Sequence, residues 1–134
     1  MKDYGPTILR IVVGIVYVMH SYVALARFTP AGTAAFMANV GLPAPALTAW
    51  IVIAVHGLGG LLLILGLWTR WAAAANAIIM LVALVKVHLP QGFFLKVMAG
   101  GASVGGFEFV LLLLAATVAL ILAGSGALAI KRSR

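Results

Sequence analysis

The sequence predicts an all-α protein: a bundle of four membrane-spanning helices with both termini in the cytoplasm. Three observations predict it. Of 134 residues, 65% are hydrophobic and only 8% are charged, with a mean hydropathy of +1.22; a soluble domain carries about a quarter charged residues to cover itself in water. The apolar residues fall in four runs, each near the ~20 residues that cross a ~30 Å hydrocarbon core. The basic residues sit singly between those runs, as topology signals do.

The first helix is expected from Pro6 to Ala26. Its mildly basic start, "MKDYGPTILR", and the "VALA" of Val23 to Ala26 resemble a secretory leader, but the segment is expected to stay as the first span. The second helix is expected over residues 45–68, the third over 70–88 and the fourth over 104–130. With no water to satisfy backbone groups, each run should be helical. "LWTRW" makes a tight inner turn whose Trp68 and Trp71 suit the interface belt. The outer loop 27–45 should hold a short helix, capped by Thr29, begun by Pro30 or Ala31 and stopped by Gly41 and Pro43, with Phe36 and Met37 dipping into the headgroups. The glycine-rich outer loop 89–103, "LPQGFFLKVMAGGAS", reads as an irregular cap with Phe93, Phe94 and Met98 towards lipid. Residues 1–134 thus form a single transmembrane domain of two helical hairpins, with no soluble domain.

Charge sets the expected orientation. Four crossings put both termini on one side, with Lys2, Arg10, Arg70, Lys131, Arg132 and Arg134; Arg27, Lys86 and Lys96 lie on the other. Six against three places the termini inside, in a bacterial inner membrane. The net charge of +7 is spread in this way and does not indicate nucleic-acid binding. The chain has no cysteine, which excludes thiol catalysis, a dithiol mechanism and Cys-ligated iron–sulfur clusters.

Ionisable groups inside spanning helices cost roughly 2.5–3.5 kcal/mol each on insertion scales, so they are the informative residues. They are His20, His56, Lys86, His88 and Glu108. His20 lies seven residues before Arg27, and His56 six residues after Trp50; at 1.5 Å per residue that is about 10 Å from either anchor. His88 and Glu108 lie near their helix ends. All share the outer half of the bilayer, as the walls of one polar cluster would. Lys86 and His88 are two apart and project ~200° from each other, so one should face in and the other snorkel outward. Glu108 shares a stripe with Leu112, Ala115 and Ala119, and that small-residue stripe is expected to face the interior. Tyr17 shares a face with His20, and the glycines of "HGLGG" after His56 permit close backbone approach. Asn76 reads as an interhelical hydrogen bond. A bis-histidine haem would need two of His20, His56 and His88 facing across a ~10 Å helix spacing, and no attachment motif is present; no metal site is expected.

"LRIVVGIVYVMHSYVAL" (9–25), "FMANVGLPAPALTAWIVIAVHGLGGLLLILGLWTRWAA" (36–73), "VHLPQGFF" (87–94) and "GGFEFVLLLLAA" (105–116), in this order and spacing, resemble the DoxX family over nearly the whole chain. The resemblance implies a four-helix inner-membrane protein. Some members resemble a subunit of thiosulfate:quinone oxidoreductase, and others partner soluble redox or detoxification proteins. His88 in "VHLP" and Glu108 in "GGFEF" match polar positions of the family. In "VHGLGG", His56 stands where the family commonly has an acid, as in "VELLGG".

The expected function is a small integral subunit of a redox-linked membrane complex. Its polar pocket would take a quinone-like headgroup, with Glu108 and His88 as the proton-handling, catalytic pair and His56, His20 and Tyr17 as the pocket wall. No cofactor is expected within the chain, and no Rossmann fingerprint is present; electrons would come from another subunit or a redox partner protein. The alternative is a non-catalytic accessory or scaffold subunit of a larger respiratory or photosynthetic complex, in which the same residues tie helices together. A cavity reaching Glu108 and His88 distinguishes the two.

Overall fold

A computed structural model describes residues 4–97 and 103–130. Helix α1 spans Tyr4–Tyr22 and runs on through a π turn, Val23–Arg27. Helix α2 (Thr29–Asn39) is the short outer helix, α3 is Pro45–Leu65, and α4 is Thr69–Ala83 with a π turn over Leu84–His88. A two-residue antiparallel pair, β1 (Lys96–Val97) with β2 (Ser103–Val104), precedes α5 (Glu108–Ala123). The continuous helical stretches Tyr4–Arg27, Pro45–Leu65 and Thr69–Gln91 are long and apolar enough to cross a membrane; α5 is apolar but shorter.

Packing follows the expected hairpins. The most extensive contacts are α1 on α3 and α4 on α5, while α2 lies on α3. Glycine makes the first of these possible. A Cβ on Gly14 would stand 2.7 Å from the Gly60 carbonyl oxygen, and one on Gly60 would stand 2.7 Å from the Gly14 oxygen. Only glycines let α1 and α3 cross at that distance, the small-residue logic of membrane helix pairs.

The core gathers Val13, Tyr17, Leu63, Ala72, Ala73, Met80, Val110, Leu113 and Leu120. Large apolar side chains such as Ile8, Leu58, Ile78 and Leu112 face outward, as a lipid solvent requires. The polar side chains Thr7, Arg10, Ser21, His56, Asn76 and Thr117 are buried between helices, where partners can replace water.

Four expectations are corrected. The fourth helix ends at Ala123, not residue 130, because Gly124, Gly126 and Leu128 all take positive φ (76°, 67° and 55°). Arg10 is not a loop charge: it is 1% exposed and folds the non-helical segment 124–128 onto the end of α3. Its Nε donates to Ser125 O (2.9 Å), Nη1 to Leu63 O (2.9 Å) and Ile64 O, and Nη2 to Leu128 O (2.8 Å) and Ala127 O (3.4 Å). Five donors thus meet five carbonyls, two of them at a helix C-terminus where a cation is favoured. Thr7 Oγ1 donates to Ala127 O, and Ile130 N–H to Leu65 O at 3.1 Å. The stripe of Leu112, Ala115 and Ala119 faces outward; α5 buries Val110, Leu113, Thr117 and Leu120 instead. Finally, Met37 turns into the protein, while Phe36 stays outward.

Other elements stand as the turn chemistry indicates. Gly41 (φ 74°) ends α2, with Leu42 N–H on Met37 O and Gly41 N–H on Ala38 O, both at 3.0 Å. Gly66 (φ 71°) ends α3 in the same six-to-one, five-to-two pattern through Leu67 and Leu62. Trp68 and Trp71 face outward at the inner turn, and Phe93 and Phe94 do so in the outer cap; Met98 lies outside the described residues.

Candidate functional site

His56 is the centre of the polar interior. It is 7% exposed and sits on α3 where glycines bring α1 and α4 close. Its Nδ1 lies 2.7 Å from Oδ1 of Asn76 on α4. Asn76 is fully buried, and its Nδ2 donates to Ala72 O (2.8 Å) and, at 3.4 Å, to Val55 O. Two carbonyls on the amide nitrogen fix the amide's orientation, so Oδ1 faces the imidazole and Nδ1–H is the donor. Space for this amide comes from Gly59: a Cβ there would stand 2.4 Å from Asn76 Nδ2.

Helix α1 supplies the other two rings. Tyr17 stacks on His56 with centroids 5.0 Å apart and planes at 16°. The Tyr17 hydroxyl lies 2.6 Å from Thr117 Oγ1, whose own proton goes to Leu113 O at 2.7 Å; Tyr17 is therefore the donor to Thr117. His20, one turn further out, meets His56 edge-on at 6.4 Å and stacks on Phe109 of α5. Its Nδ1 donates to Val16 O at 2.8 Å.

Two cavities flank His56 beneath α2. The first, ≈ 380 Å³, is walled by His20, Val23, Thr33, Phe36, Met37, Val52 and His56 among others. The second, ≈ 320 Å³, lies between α2, α3 and α4 and shares Phe36, Met37, Val52 and His56, adding Ile78, Val82 and Lys86. Both fall in the size range of small-molecule sites, with apolar walls and few polar groups. A third groove, ≈ 540 Å³, opens outward between α3 and α4 along Leu58, Gly59, Trp68, Trp71 and Ala72.

The structure therefore brings together Tyr17, His20 and His56. It places His88 and Glu108 in a different environment. His88 Nδ1 donates to Gly106 O at 3.2 Å, and Glu108 Oε1 accepts the Leu95 N–H at 2.9 Å. Phe107 N–H to Gly92 O and Glu108 N–H to Phe93 O, both at 3.0 Å, complete the clasp. Neither side chain lines the cavities at His56. Lys86 is exposed and borders the second cavity, while His88 is half-buried. Asn76 makes the interhelical hydrogen bond expected of it, and its partner is His56; a lone amide in an apolar helix was the available signal of a buried partner.

Length, composition and packing define a helical membrane protein with apolar cavities around a buried imidazole. The chain belongs to the DoxX family, whose pattern it matches over residues 5–89. It is 31% identical over 129 residues to the "Putative oxidoreductase CatD" of Bacillus subtilis (strain 168), a match covering 96% of this chain and 85% of that protein. No solved structure matches the chain.

Proposed function

We propose that this redox-associated membrane protein is a small subunit of a quinone-linked complex, and that the cavities beneath α2 hold the ring of a quinone-like ligand in either redox form. The carrying observation is His56: a buried imidazole, oriented by Asn76 and backed by Tyr17, lines both cavities. Apolar walls suit a hydrophobic ring, and one oriented imidazole suits its oxygen. In this reading His56 and His20 handle the ligand, Tyr17 supports His56, and His88 and Glu108 hold the outer clasp. Electrons come from another subunit or a soluble redox partner. The family, the relative named as an oxidoreductase and the apolar interior support this reading. The protein lies in the bacterial inner membrane with its termini inside: without Arg10 the loop charges still divide five (6 − 1) against three.

The accessory-subunit reading has its own observation, the outward groove between α3 and α4, which a partner helix would fill. Titration calorimetry separates the two. Purified protein in mild detergent is titrated with trimethylquinone and with trimethylhydroquinone. Saturable binding of at least one, lost in His56→Leu while the variant keeps its helical signal and unfolding midpoint, is the expected result. Equal binding by wild type and His56→Leu, or binding of neither probe, would refute the pocket.

A further inference from the structure

The first cavity has a specific polarity. Three of its wall residues carry polar side chains that can hydrogen-bond: His20, Thr33 and His56. Each has already given its proton to the protein. Thr33 Oγ1 donates to Ala24 O at 2.8 Å, His20 Nδ1 to Val16 O at 2.8 Å, and His56 Nδ1 to Asn76 Oδ1 at 2.7 Å. A backbone carbonyl can only accept, so the first two directions are fixed. Asn76 is fixed too, because turning its amide would set Oδ1 against the Ala72 oxygen that Nδ2 now meets at 2.8 Å. What remains on a neutral imidazole is the Nε2 lone pair, and on a threonine hydroxyl whose proton is used, only lone pairs. Lys86, a donor, lines the second cavity and not the first.

We infer that the first cavity presents acceptors only, and so selects a ligand ring that carries hydroxyl donors: the hydroquinol form rather than the quinone. A quinone brings only carbonyl acceptors and would leave its own oxygens and Nε2 of the buried His56 unpaired, and unpaired buried polar groups are costly. A hydroquinol hydroxyl donates a hydrogen bond to Nε2 of His56 or His20. Sites built to pair a hydroxyl reject analogues that lack it far more strongly than apolar pockets reject a change of size. Asn76 acts here as a positioning residue through His56, and Gly59 as the space that admits it. This inference rests on reading the cavity as a site for a quinone-like ring.

The test is anaerobic titration calorimetry on the full chain in detergent with three matched probes: trimethylhydroquinone, trimethylquinone and the O,O-dimethyl ether of the hydroquinone. The hydroquinone is expected to bind roughly tenfold or more tightly than the other two. His20→Phe keeps the aromatic stack on Phe109 and removes one acceptor; it should weaken the hydroquinone several-fold and leave the quinone unchanged. Selective ¹⁵N-histidine labelling should show His56 protonated at Nδ1, with that preference lost in Asn76→Ala. Quinone binding as tight as or tighter than hydroquinone overturns the acceptor-only inference while leaving the pocket standing. Binding of neither overturns both.

Discussion

Replacing Gly59 by alanine tests how the site is built. The added Cβ would stand 2.4 Å from Asn76 Nδ2, 3.6 Å from its Cγ and 3.7 Å from Ala72 O. Only the first contact is impossible, so the amide must leave. Overpacking costs about 1–3 kcal/mol, and the displaced amide forfeits its bonds to His56 and Ala72 at about 1 kcal/mol each, for a loss of about 3–5 kcal/mol. In an Asn76→Ala background the clash is gone. There, Gly59→Ala should be neutral or stabilising by up to about 1 kcal/mol, since alanine is the better helix former. The assay is unfolding by SDS in mixed micelles followed by far-ultraviolet circular dichroism, for both singles and the double. Loss or reversal of the penalty in the Asn76→Ala background is the prediction. The same penalty in both would mean that Gly59 serves some other contact and that the Asn76–His56 arrangement is wrong.

Three further outcomes follow from the packing. Gly60→Ala pushes against the backbone oxygen of Gly14 at 2.7 Å, which cannot turn aside; it should cost about 1–3 kcal/mol in the same SDS titration. Arg10→Met leaves five carbonyl contacts unmade and should cost about 3–5 kcal/mol, with Arg10→Lys intermediate because an ammonium has three donors; a Met variant as stable as wild type would refute the cage. Glu108→Ala should speed amide exchange at Leu95, whose N–H it accepts at 2.9 Å, by about fivefold for ~1 kcal/mol, whereas Glu108→Gln keeps an acceptor and should not.

The four helices and their order were legible because lipid demands long apolar runs, and nothing else in a chain of this size supplies them. The end of α5 was not. "LAGSGALAI" continues the apolar composition past Ala123, and hydropathy does not register that a buried guanidinium can satisfy a non-helical backbone. Arg10 was misread for the same reason: a cation near a helix end has the same sequence signature whether it meets headgroups or carbonyls. The face of α5 was misjudged because the helix is apolar all round. Thr117, its one polar residue beyond Glu108, lies in register with Val110, Leu113 and Leu120 and marks the buried face. The site was half legible. His56, His20 and Tyr17 shared a depth and a cluster of glycines. The grouping of His88 and Glu108 with them rested on depth, on the small-residue stripe beside Glu108 and on the family pattern, none of which says which groups a loop will engage.

Photolabelling tests the central claim most directly. A diazirine-bearing trimethylhydroquinone, irradiated with the protein in membranes and mapped by peptide mass spectrometry, should label the cavity walls on α2 and α3, at Phe36, Met37 and Val52, and unlabelled hydroquinone should suppress it. Labelling confined to the outward groove at Trp68 and Trp71, or spread evenly over lipid-facing residues, would contradict a ligand site beneath α2.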